Sequence, residues 1–237
     1  MNSDIALIQF REDREMASQE LECVARDLGI NEEQITVYNA TKQDLSSIKV
    51  ENFSAFIFGG SGDISLSDGT EVVKTIKNNI KILILRVVEF DVPSLFICLG
   101  YHLFSDYLGE SVTKNPKQSE SGTTKVYLTS NAMSDALFSG IKKQLIVQEA
   151  HHDSIQNLPK AAVLLAENPR CPIQAYRVKK NIYAMQFHPE LQKKDMLFRL
   201  NHYSEKYETD KSKFKESVET LKIMKNFVKI YQKKSKK

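Results

Sequence analysis

Short apolar runs alternate with longer amphipathic stretches over the first half of the chain. Four of these runs are bounded by polar or charged residues, as buried strands are. They cover 5–10, 35–38, 53–58 and 93–97. Between them, apolar residues recur at helical spacing in the stretch that ends at Gly29 and in 70–88 and 99–108. This alternation predicts parallel strands joined by crossover helices.

The second half has a different pattern, in which short apolar segments are separated by turn-like links. The segments cover 125–129, 144–149, 162–166, 173–178 and 182–187. Links this short suit antiparallel neighbours, and Lys179-Lys180-Asn181 joins two segments in hairpin order. We therefore predict an α/β fold: a flavodoxin-like, open and mostly parallel sheet with flanking helices and an antiparallel strand extension. One domain is expected to span 1–237.

The C-terminal region is polar and then basic. Residues 192–215 are weakly periodic, which predicts a polar insertion or mobile loop, whereas 218–231 resume helical spacing and predict a final helix docked on the body. Residues 192–237 contain 14 Lys or Arg against 6 Asp or Glu. A lysine-rich end can attract nucleic acid. We favour the simpler interpretation, a solvated helical face, and expect no nucleic-acid partner.

Composition excludes several classes of protein. No apolar run approaches the roughly 18 residues of a membrane span, and the N-terminus lacks the layout of a signal peptide, so we expect a cytoplasmic protein without a membrane partner. Cys23, Cys98 and Cys171 are too few and too scattered for a disulfide framework or a zinc cluster. The adjacent His151 and His152 would point to opposite sides of a strand, which argues against a joint metal site.

Cys98 stands at the end of a predicted strand and directly before a predicted helix. A side chain at such a turn lies at the carboxyl edge of a parallel sheet, where open sheets place their sites, and the helix N-terminus favours a thiolate. The alternative is a buried cysteine that acts as a small hydrophobe. Cys23 belongs to the apolar face of the first helix. Cys171 stands in a turn, where we expect an inert surface or half-buried thiol.

His188 and Glu190 follow the last predicted strand. A cysteine nucleophile needs an imidazole to take its proton and a carboxylate to hold that ring in one tautomer. If the chain leaves the strand in extended form, residues 188 and 190 point to the same side, so the carboxylate can reach the ring. Ordinary turn chemistry in His188-Pro189-Glu190 is the alternative.

A glycine-rich loop, Gly59-Gly60-Ser61-Gly62, follows the third predicted strand. Acyl transfer builds negative charge on an oxygen that backbone N–H groups can stabilise, and glycine lets the main chain approach closely. The N–H groups of Gly60 and Leu99 are the candidate oxyanion hole. A phosphate cradle is the rival interpretation, but the loop lacks the lysine and the serine or threonine that follow the last glycine of a P-loop.

These three elements together resemble the class I glutamine amidotransferases, whose glutaminase domain carries a diglycine loop, a strand-turn-helix cysteine in CxG, and a strand ending in HPE. Over residues 5–190 the resemblance implies Cys98 as nucleophile, His188 as general base and acid, and Glu190 as its orienting carboxylate. It implies hydrolysis of glutamine, or a related γ-glutamyl amide, through a thioester, without a metal or organic cofactor. Ammonia would pass to a separate synthase subunit or be released.

Further residues are assigned through the same resemblance. The segment AHHDS is similar to the SHxDS segment of the GMP synthetase branch, which implies a glutamine pocket that includes His152 and Asp153. Gly62 and His102 are the other substrate-binding candidates. Family members usually have glycine where this chain has Phe96, and glutamine where it has His102. The alternatives are therefore a γ-glutamyl hydrolase or peptidase, and a catalytically impaired binding protein of the same fold.

Overall fold

The computed structural model describes residues 5–203 and 210–234, and within these ranges the main sheet has nine strands. In sheet order they are β2 (Ile35–Asn39), β1 (Ile5–Gln9), β3 (Ala55–Phe58), β4 (Ser94–Ile97), β11 (Ile182–Met185), β10 (Ala175–Val178), β9 (Ala162–Glu167), β6 (Glu120–Leu128) and β7 (Gln144–His151). The first five pair in parallel, and the later pairings are antiparallel. The predicted α/β sheet with an antiparallel extension is confirmed.

Helices cover both faces of this sheet. They are α1 (Arg14–Leu28), α2 (Glu71–Glu89), α3 (Leu99–Tyr107), α4 (Ser130–Met133), α5 (Lys193–His202) and α6 (Leu221–Lys234). Because successive strand residues point to opposite faces, the sheet has two apolar layers. One layer contains α1 and α6, and the other contains α2 and α3. The α1 helix begins at Asp13, whose carboxylate accepts the Met16 N–H at 2.9 Å, and ends at Gly29 with φ 73°.

The carboxyl ends of β3, β4 and β11 meet at one edge of the sheet. β4 pairs in parallel with both β3 and β11, and Ile97 lies opposite Met185 in this register. The three segments that carry the candidate chemistry each leave the sheet at this edge. Parallel pairing alone therefore brings residues 59–62, 98 and 188 into one neighbourhood.

The antiparallel half holds more strand than the sequence predicts. β6 begins at Glu120, five residues before the predicted start, and a second sheet pairs β5 (Val112–Lys114) with β8 (Asp153–Ile155). Short segments rich in Ser, Thr and Gly give no apolar run, so their strand character depends on pairing partners that are distant in the chain.

The predicted polar insertion at 192–215 contains the helix α5 in place of a loop. Residues 204–209 of this segment lie outside the described residues. The helix is tied to the body by ion pairs, since Arg26 contacts both Asp27 and Asp195 at 2.7 Å, and the Arg199 Nε donates to Gln19 at 2.8 Å. Its apolar contacts are few, since Met196 and Leu200 pack beside Leu191 and Phe214. A single apolar pair at helical spacing is too short a pattern to predict a helix.

A membrane span requires a long and apolar helix. Within 5–203 and 210–234, no helix combines the length and the apolar character needed to cross a bilayer. The final helix follows the predicted position, although the last lysines at 235–237 lie outside the described residues.

Candidate active site

Cys98 occupies the sharp turn between β4 and α3. Its backbone has φ 51° and ψ −102°, a region that L-residues rarely adopt. The turn is held on both sides, because the Cys98 N–H donates to Met185 O at 2.9 Å and the His102 N–H donates to Cys98 O at 3.0 Å. Gly100 allows close packing on β3, since a Cβ there would lie 2.5 Å from Phe58 O. Such strain costs roughly 1–3 kcal/mol and clusters at functional sites.

His188 and Glu190 lie beside Cys98, directly after β11. The His188 N–H donates to Gln148 O at 3.0 Å, which ties this segment to β7. The ring Nδ1 lies 2.9 Å from Glu190 Oε1, and because a carboxylate only accepts, Nδ1 carries the hydrogen. Nε2 is then the nitrogen left for the Cys98 thiol, and the two side chains are close enough for the sulfur to act on the pKa of His188. The structure therefore brings the three predicted residues together, with a hydrogen bond between His188 and Glu190.

The surroundings of the His188 ring set its charge. Burial lowers its pKa, but the Glu190 carboxylate and the Cys98 sulfur outweigh burial and raise the pKa of His188 to about 10. Burial alone would raise the pKa of Glu190, yet His188 and then Arg199 outweigh it and hold that pKa below its usual range. Arg199 Nη1, on α5, lies 3.8 Å from Glu190 Oε1. The pair therefore favours an imidazolium next to a carboxylate.

The glycine-rich loop packs directly on these reactive side chains. A Cβ at Gly60 would lie 3.0 Å from His188 Cε1 and 3.5 Å from Cys98 Cβ. A Cβ at Gly62 would lie 2.3 Å from the ring of Tyr203. Any side chain at position 60 would therefore displace the imidazole, and any at position 62 would displace the tyrosine.

The two backbone N–H groups predicted as oxyanion donors differ in their surroundings. Leu99 is the first residue of α3, so helix geometry leaves its N–H without an intrahelical partner, and Leu99 lines the cavity next to Cys98. The Gly60 N–H instead donates to Glu20 Oε1 at 3.2 Å. Arg11 Nη2 lies 3.1 Å from the same oxygen, and both charged side chains are buried. In this arrangement the Gly60 N–H points to Glu20 and not to the reacting centre.

A cavity of about 420 Å³ opens beside Cys98, within the size range of small-molecule sites. Its lining includes the four predicted substrate-binding residues, Gly62, His102, His152 and Asp153. The Asp153 carboxylate accepts from the hydroxyls of Ser65 and Ser67 at 2.8 and 2.6 Å, so it holds the loop after Gly62 in place. The predicted set is thus gathered around one cavity, with Asp153 also acting as a support for its wall.

Known proteins share this arrangement of strand, loop and turn. The family described as Glutamine amidotransferase class-I matches residues 15–200. The chain belongs to this family. The resemblance predicted from the three motifs is therefore confirmed, and with it the prediction of a glutamine amidotransferase enzyme.

Several relatives of this amidotransferase carry names of GMP synthases. The GMP synthase subunit of Pyrococcus abyssi, described as glutamine-hydrolysing, is 34% identical over 148 residues, which cover 62% of this chain and 71% of that protein. The subunit of the same name from Archaeoglobus fulgidus is 30% identical over 167 residues, which cover 70% and 79%. The longer glutamine-hydrolysing GMP synthase of Lachnospira eligens is 32% identical over 151 residues, which cover 63% of this chain but 26% of that protein.

Solved structures show the same fold at lower sequence identity. A glutamine amidotransferase from Thermotoga maritima has a TM-score of 0.72 at 20% identity and covers 99% of this chain and 98% of its own. A protein from Thermoplasma acidophilum, described as a GMP synthase subunit, has a TM-score of 0.69 at 23% identity and covers 98% and 96%. At these identities, the likeness is one of fold alone.

The two departures from the amidotransferase pattern have different structural consequences. Phe96 is fully buried and stacks between Phe58 and Phe104, with ring centroids 4.1 and 4.2 Å apart, so it belongs to the core and does not line the cavity. His102 does line the cavity, and its Nε2 lies 2.8 Å from Gln186 Oε1. Burial lowers the pKa of His102 to about 4, so the ring is neutral at physiological pH.

Sequence reasoning missed several residues of this amidotransferase site. Glu120 and Lys213 line the cavity, Arg199 approaches Glu190, and Glu20 binds the glycine loop. Glu120 precedes the strand predicted at 125–129, and Lys213 lies in the segment predicted to be a polar insertion or mobile loop. The alternation along β6 was the one usable signal for Glu120, whereas the position of Glu20 on a helix face gave none.

Proposed function

We propose that this amidotransferase hydrolyses the side-chain amide of glutamine through Cys98, His188 and Glu190. The Cys98 sulfur attacks the amide carbon and forms a C–S bond, while the carbonyl electrons move to the oxygen. Collapse of this intermediate breaks the C–N bond, and His188 gives its proton to the leaving nitrogen, which departs as ammonia. Water, deprotonated by His188, then attacks the thioester carbon. The C–S bond breaks, glutamate leaves and the Cys98 thiolate is restored. The single observation that carries the proposal is the strained Cys98 turn facing the hydrogen-bonded His188–Glu190 pair.

The charges around the cysteine suit this sequence of proton transfers. The raised pKa of His188, about 10, favours an imidazolium at neutral pH, which is the form that protonates ammonia. Glu190, with its lowered pKa, stays ionised and stabilises that imidazolium while it fixes the ring tautomer. Leu99 N–H supplies one oxyanion donor at the N-terminus of α3, and Gly60 N–H supplies the second once its peptide turns away from Glu20.

Free glutamine also carries an ammonium and a carboxylate that need partners. The cavity offers both signs of charge, because Glu120 and Asp210 line it together with Lys213. We assign the substrate carboxylate to Lys213 and the ammonium to Asp210, because both Glu120 oxygens already accept hydrogen bonds from Asn168 and Gln174. His152 and Gly62 shape the wall of the cavity. His102 occupies the place of the glutamine usual in the family and presents a neutral ring to the substrate.

The ammonia is proposed to reach a separate synthase subunit. Relatives that match this chain over most of their own length are named as subunits of a glutamine-hydrolysing GMP synthase. A chain of similar extent would supply ammonia to a partner that carries the synthase site. A test is glutamine-dependent synthesis by a mixture of this chain with a candidate synthase partner, compared with synthesis from added ammonium salt.

The direct experiment measures ammonia and glutamate released from glutamine by the full chain. Cys98→Ala is expected to abolish release, and Cys171→Ala and Cys23→Ala serve as matched controls because those thiols are also buried. A glutamine-mimicking electrophile should label wild-type protein at Cys98 only. Equal labelling of Cys171, or undiminished release by the Cys98→Ala protein, would refute the assignment.

A substrate panel separates glutaminase from γ-glutamyl hydrolase activity. Glutamine and γ-glutamyl compounds with larger leaving amines are offered in parallel, and the released amine is identified. We expect turnover of glutamine to exceed that of the larger compounds. Preference for a larger amine would favour the hydrolase, and absence of turnover in the presence of the synthase partner would favour an impaired binding protein.

A further inference from the structure

A second cluster of polar side chains is buried in the antiparallel half, next to the cavity. Glu120 on β6 lies opposite His151 on β7, and Cys171 lies in the link between β9 and β10. One potential ligand atom from each of these residues lies within 4.8 Å of the other two. The cysteine is 2% exposed, which corrects the sequence interpretation of Cys171 as a surface or half-buried thiol.

The orientation of His151 leaves one ring nitrogen directed at carboxylates. Nδ1 lies 2.9 Å from Asp153 O, and because a carbonyl oxygen only accepts, Nδ1 carries a hydrogen. Nε2 lies 3.5 Å from Glu120 Oε2 and 3.6 Å from Glu149 Oε2, and it has no hydrogen-bond partner among the described residues. A backbone carbonyl on one nitrogen and an open lone pair on the other is the usual arrangement of a metal-ligating histidine.

Glu149 adds a carboxylate that the protein does not satisfy. It is two residues before His151 on β7, so both side chains lie on the same face of the strand. It is 0% exposed, and neither oxygen has a hydrogen-bond partner within 3.5 Å in the described part of the chain. The nearby Gln174 amide donates to Glu120 Oε2 at 2.6 Å instead. An unpaired buried carboxylate is costly unless a cation or a proton neutralises it.

The remaining contacts of the cluster hold its members in place. The Asn168 side chain donates to Glu120 Oε1 at 2.9 Å, and its oxygen accepts the Cys171 N–H at 2.6 Å. One asparagine therefore links the loop that carries the thiol to the strand that carries the carboxylate. This is the outer support that metal sites require.

We propose that Glu120, His151 and Cys171 bind one divalent transition-metal ion of the zinc type, with Glu149 as fourth ligand. Thiolate, imidazole and carboxylate are the donors that zinc takes in tetrahedral sites, and cysteine excludes a hard ion such as magnesium. Binding forms the metal–sulfur bond and releases the thiol proton to solvent. Zinc bonds of about 2.0–2.3 Å place ligand atoms roughly 3.4–3.8 Å apart, and the 3.5 Å between His151 Nε2 and Glu120 Oε2 already falls in that range.

The ion would join β6, β7 and the β9–β10 link into one unit behind the cavity. Catalysis does not pass through it, since Cys98 is not among its ligands.

The experiment uses the full chain with Cys98→Ser, so that the reactive thiol cannot bind the metal. Cobalt(II) is added to metal-free protein, and we expect one ion per chain and a thiolate-to-cobalt charge-transfer band. Adding Cys171→Ser should remove the band and weaken zinc binding at least about tenfold. Adding Cys23→Ser, which removes another buried cysteine, should leave both unchanged. Zinc should raise the melting temperature of the protein that retains Cys171 and not of the protein that lacks it.

A second variant keeps the test decisive if Cys171→Ser fails to fold. Glu149→Gln keeps the shape and the thiol, so the cobalt band should persist while affinity for zinc falls. The proposal is overturned if the Cys98→Ser protein gives no band, if Cys23→Ser removes it, or if Glu149→Gln leaves affinity unchanged. Because metal binding is measured without turnover, these results are independent of the proposed glutaminase activity.

Discussion

At the scale of single residues, neighbouring backbone groups hold Cys98 in an unusual conformation that sets the direction of its side chain. The residue has a positive φ, and hydrogen bonds from both sides of the turn hold it there. The sulfur is thereby directed at an imidazole whose other nitrogen is already engaged by Glu190. A strained backbone and a preset tautomer mean that little reorganisation remains for the reaction itself.

Glu190→Gln tests the electrostatic role of the carboxylate. The amide keeps the size of the side chain but removes the charge that raises the pKa of His188. We expect kcat for glutamine to fall by about 10²–10⁴-fold, as when the orienting carboxylate of a triad is neutralised. Steady-state ammonia release checks this, and retention of more than half of the wild-type kcat would contradict it.

The same substitution makes a prediction for stability against pH. The pKa of His188 is raised from 6.5 to about 10 in the folded protein, so the folded state binds the proton more tightly than the unfolded state. The resulting stabilisation is complete below pH 6.5 and is lost as the pH rises through about 10. Urea unfolding of wild type should show this loss, and the Glu190→Gln protein should show a smaller one. Equal slopes would argue against the pairing.

Gly60→Ala tests the space around the imidazole. The added methyl would meet His188 Cε1 at 3.0 Å, so we expect the ring to shift and kcat to fall more than about tenfold, with little change in melting temperature. Gly29→Ala is the control, since it should lower stability without changing kcat. Gly29 has φ 73° and open space around it, so alanine there should cost roughly 1–2 kcal/mol of stability and leave kcat unchanged. Similar effects of both variants would refute the steric argument.

At the scale of elements, hydrophobic periodicity predicted the buried half of the fold and little of the rest. The strands of the parallel half are apolar runs because helices cover both of their faces, so their positions can be found from the sequence. The helix α5 was missed because its buried face mixes Met196 and Leu200 with charged residues. The charged residues are Asp195, which pairs with Arg26, and Arg199, which contacts Glu190 and Gln19. Ion pairs between distant segments leave no local pattern.

The candidate site divides in the same way. Cys98, His188 and Glu190 follow neighbouring strands at one edge, a position that the parallel alternation predicts. Glu120, His151 and Cys171 meet through the antiparallel register of β6 with β7 and through a loop. That register depends on pairing across roughly thirty residues of chain, which composition and spacing do not encode.

Phe96→Ala tests whether the residue that replaces the usual glycine stabilises the fold. Phe96 stacks on Phe58 from β3 and Phe104 from α3, so truncation should cost about 3–5 kcal/mol in unfolding free energy. Phe90→Ala is the matched control, since Phe90 is 59% exposed and its loss should change stability by roughly 0.5 kcal/mol or less. Denaturant titration measures the unfolding free energy of both variants. A loss for Phe96→Ala as small as that for Phe90→Ala would contradict a stabilising role for Phe96.

At the scale of the whole molecule, different parts of the chain position the two sides of the candidate site, the reactive side chains and the glycine-rich loop. The cysteine and histidine are set by β4 and β11, whereas the glycine loop is bound by Glu20 of α1, which in turn pairs with Arg11. If the Gly60 N–H acts as the proposed oxyanion donor, this buried ion pair competes with the substrate oxyanion for it. A synthase partner that shifts α1 relative to the loop would thereby change the rate of glutamine hydrolysis.

Glu20→Gln and Arg11→Met should therefore change turnover in opposite directions. A neutral amide is a weaker acceptor than a carboxylate by about 1 kcal/mol, so Glu20→Gln should free the Gly60 peptide and raise kcat roughly fivefold. Glu20 Oε1 accepts from both Arg11 and the Gly60 N–H. Arg11→Met removes the first of these donors, so the carboxylate should hold the Gly60 N–H more tightly and kcat should fall. Both changes disturb a buried pair and should lower the melting temperature by several degrees.

Alkylation of Cys98 by iodoacetamide is the control, because this reaction requires no oxyanion hole. Its rate should stay near wild type in both variants. A change in kcat without a change in alkylation rate would then come from the oxyanion hole and not from loss of folding. If both variants lower kcat together with alkylation, the ion pair supports the fold and does not control the glycine loop.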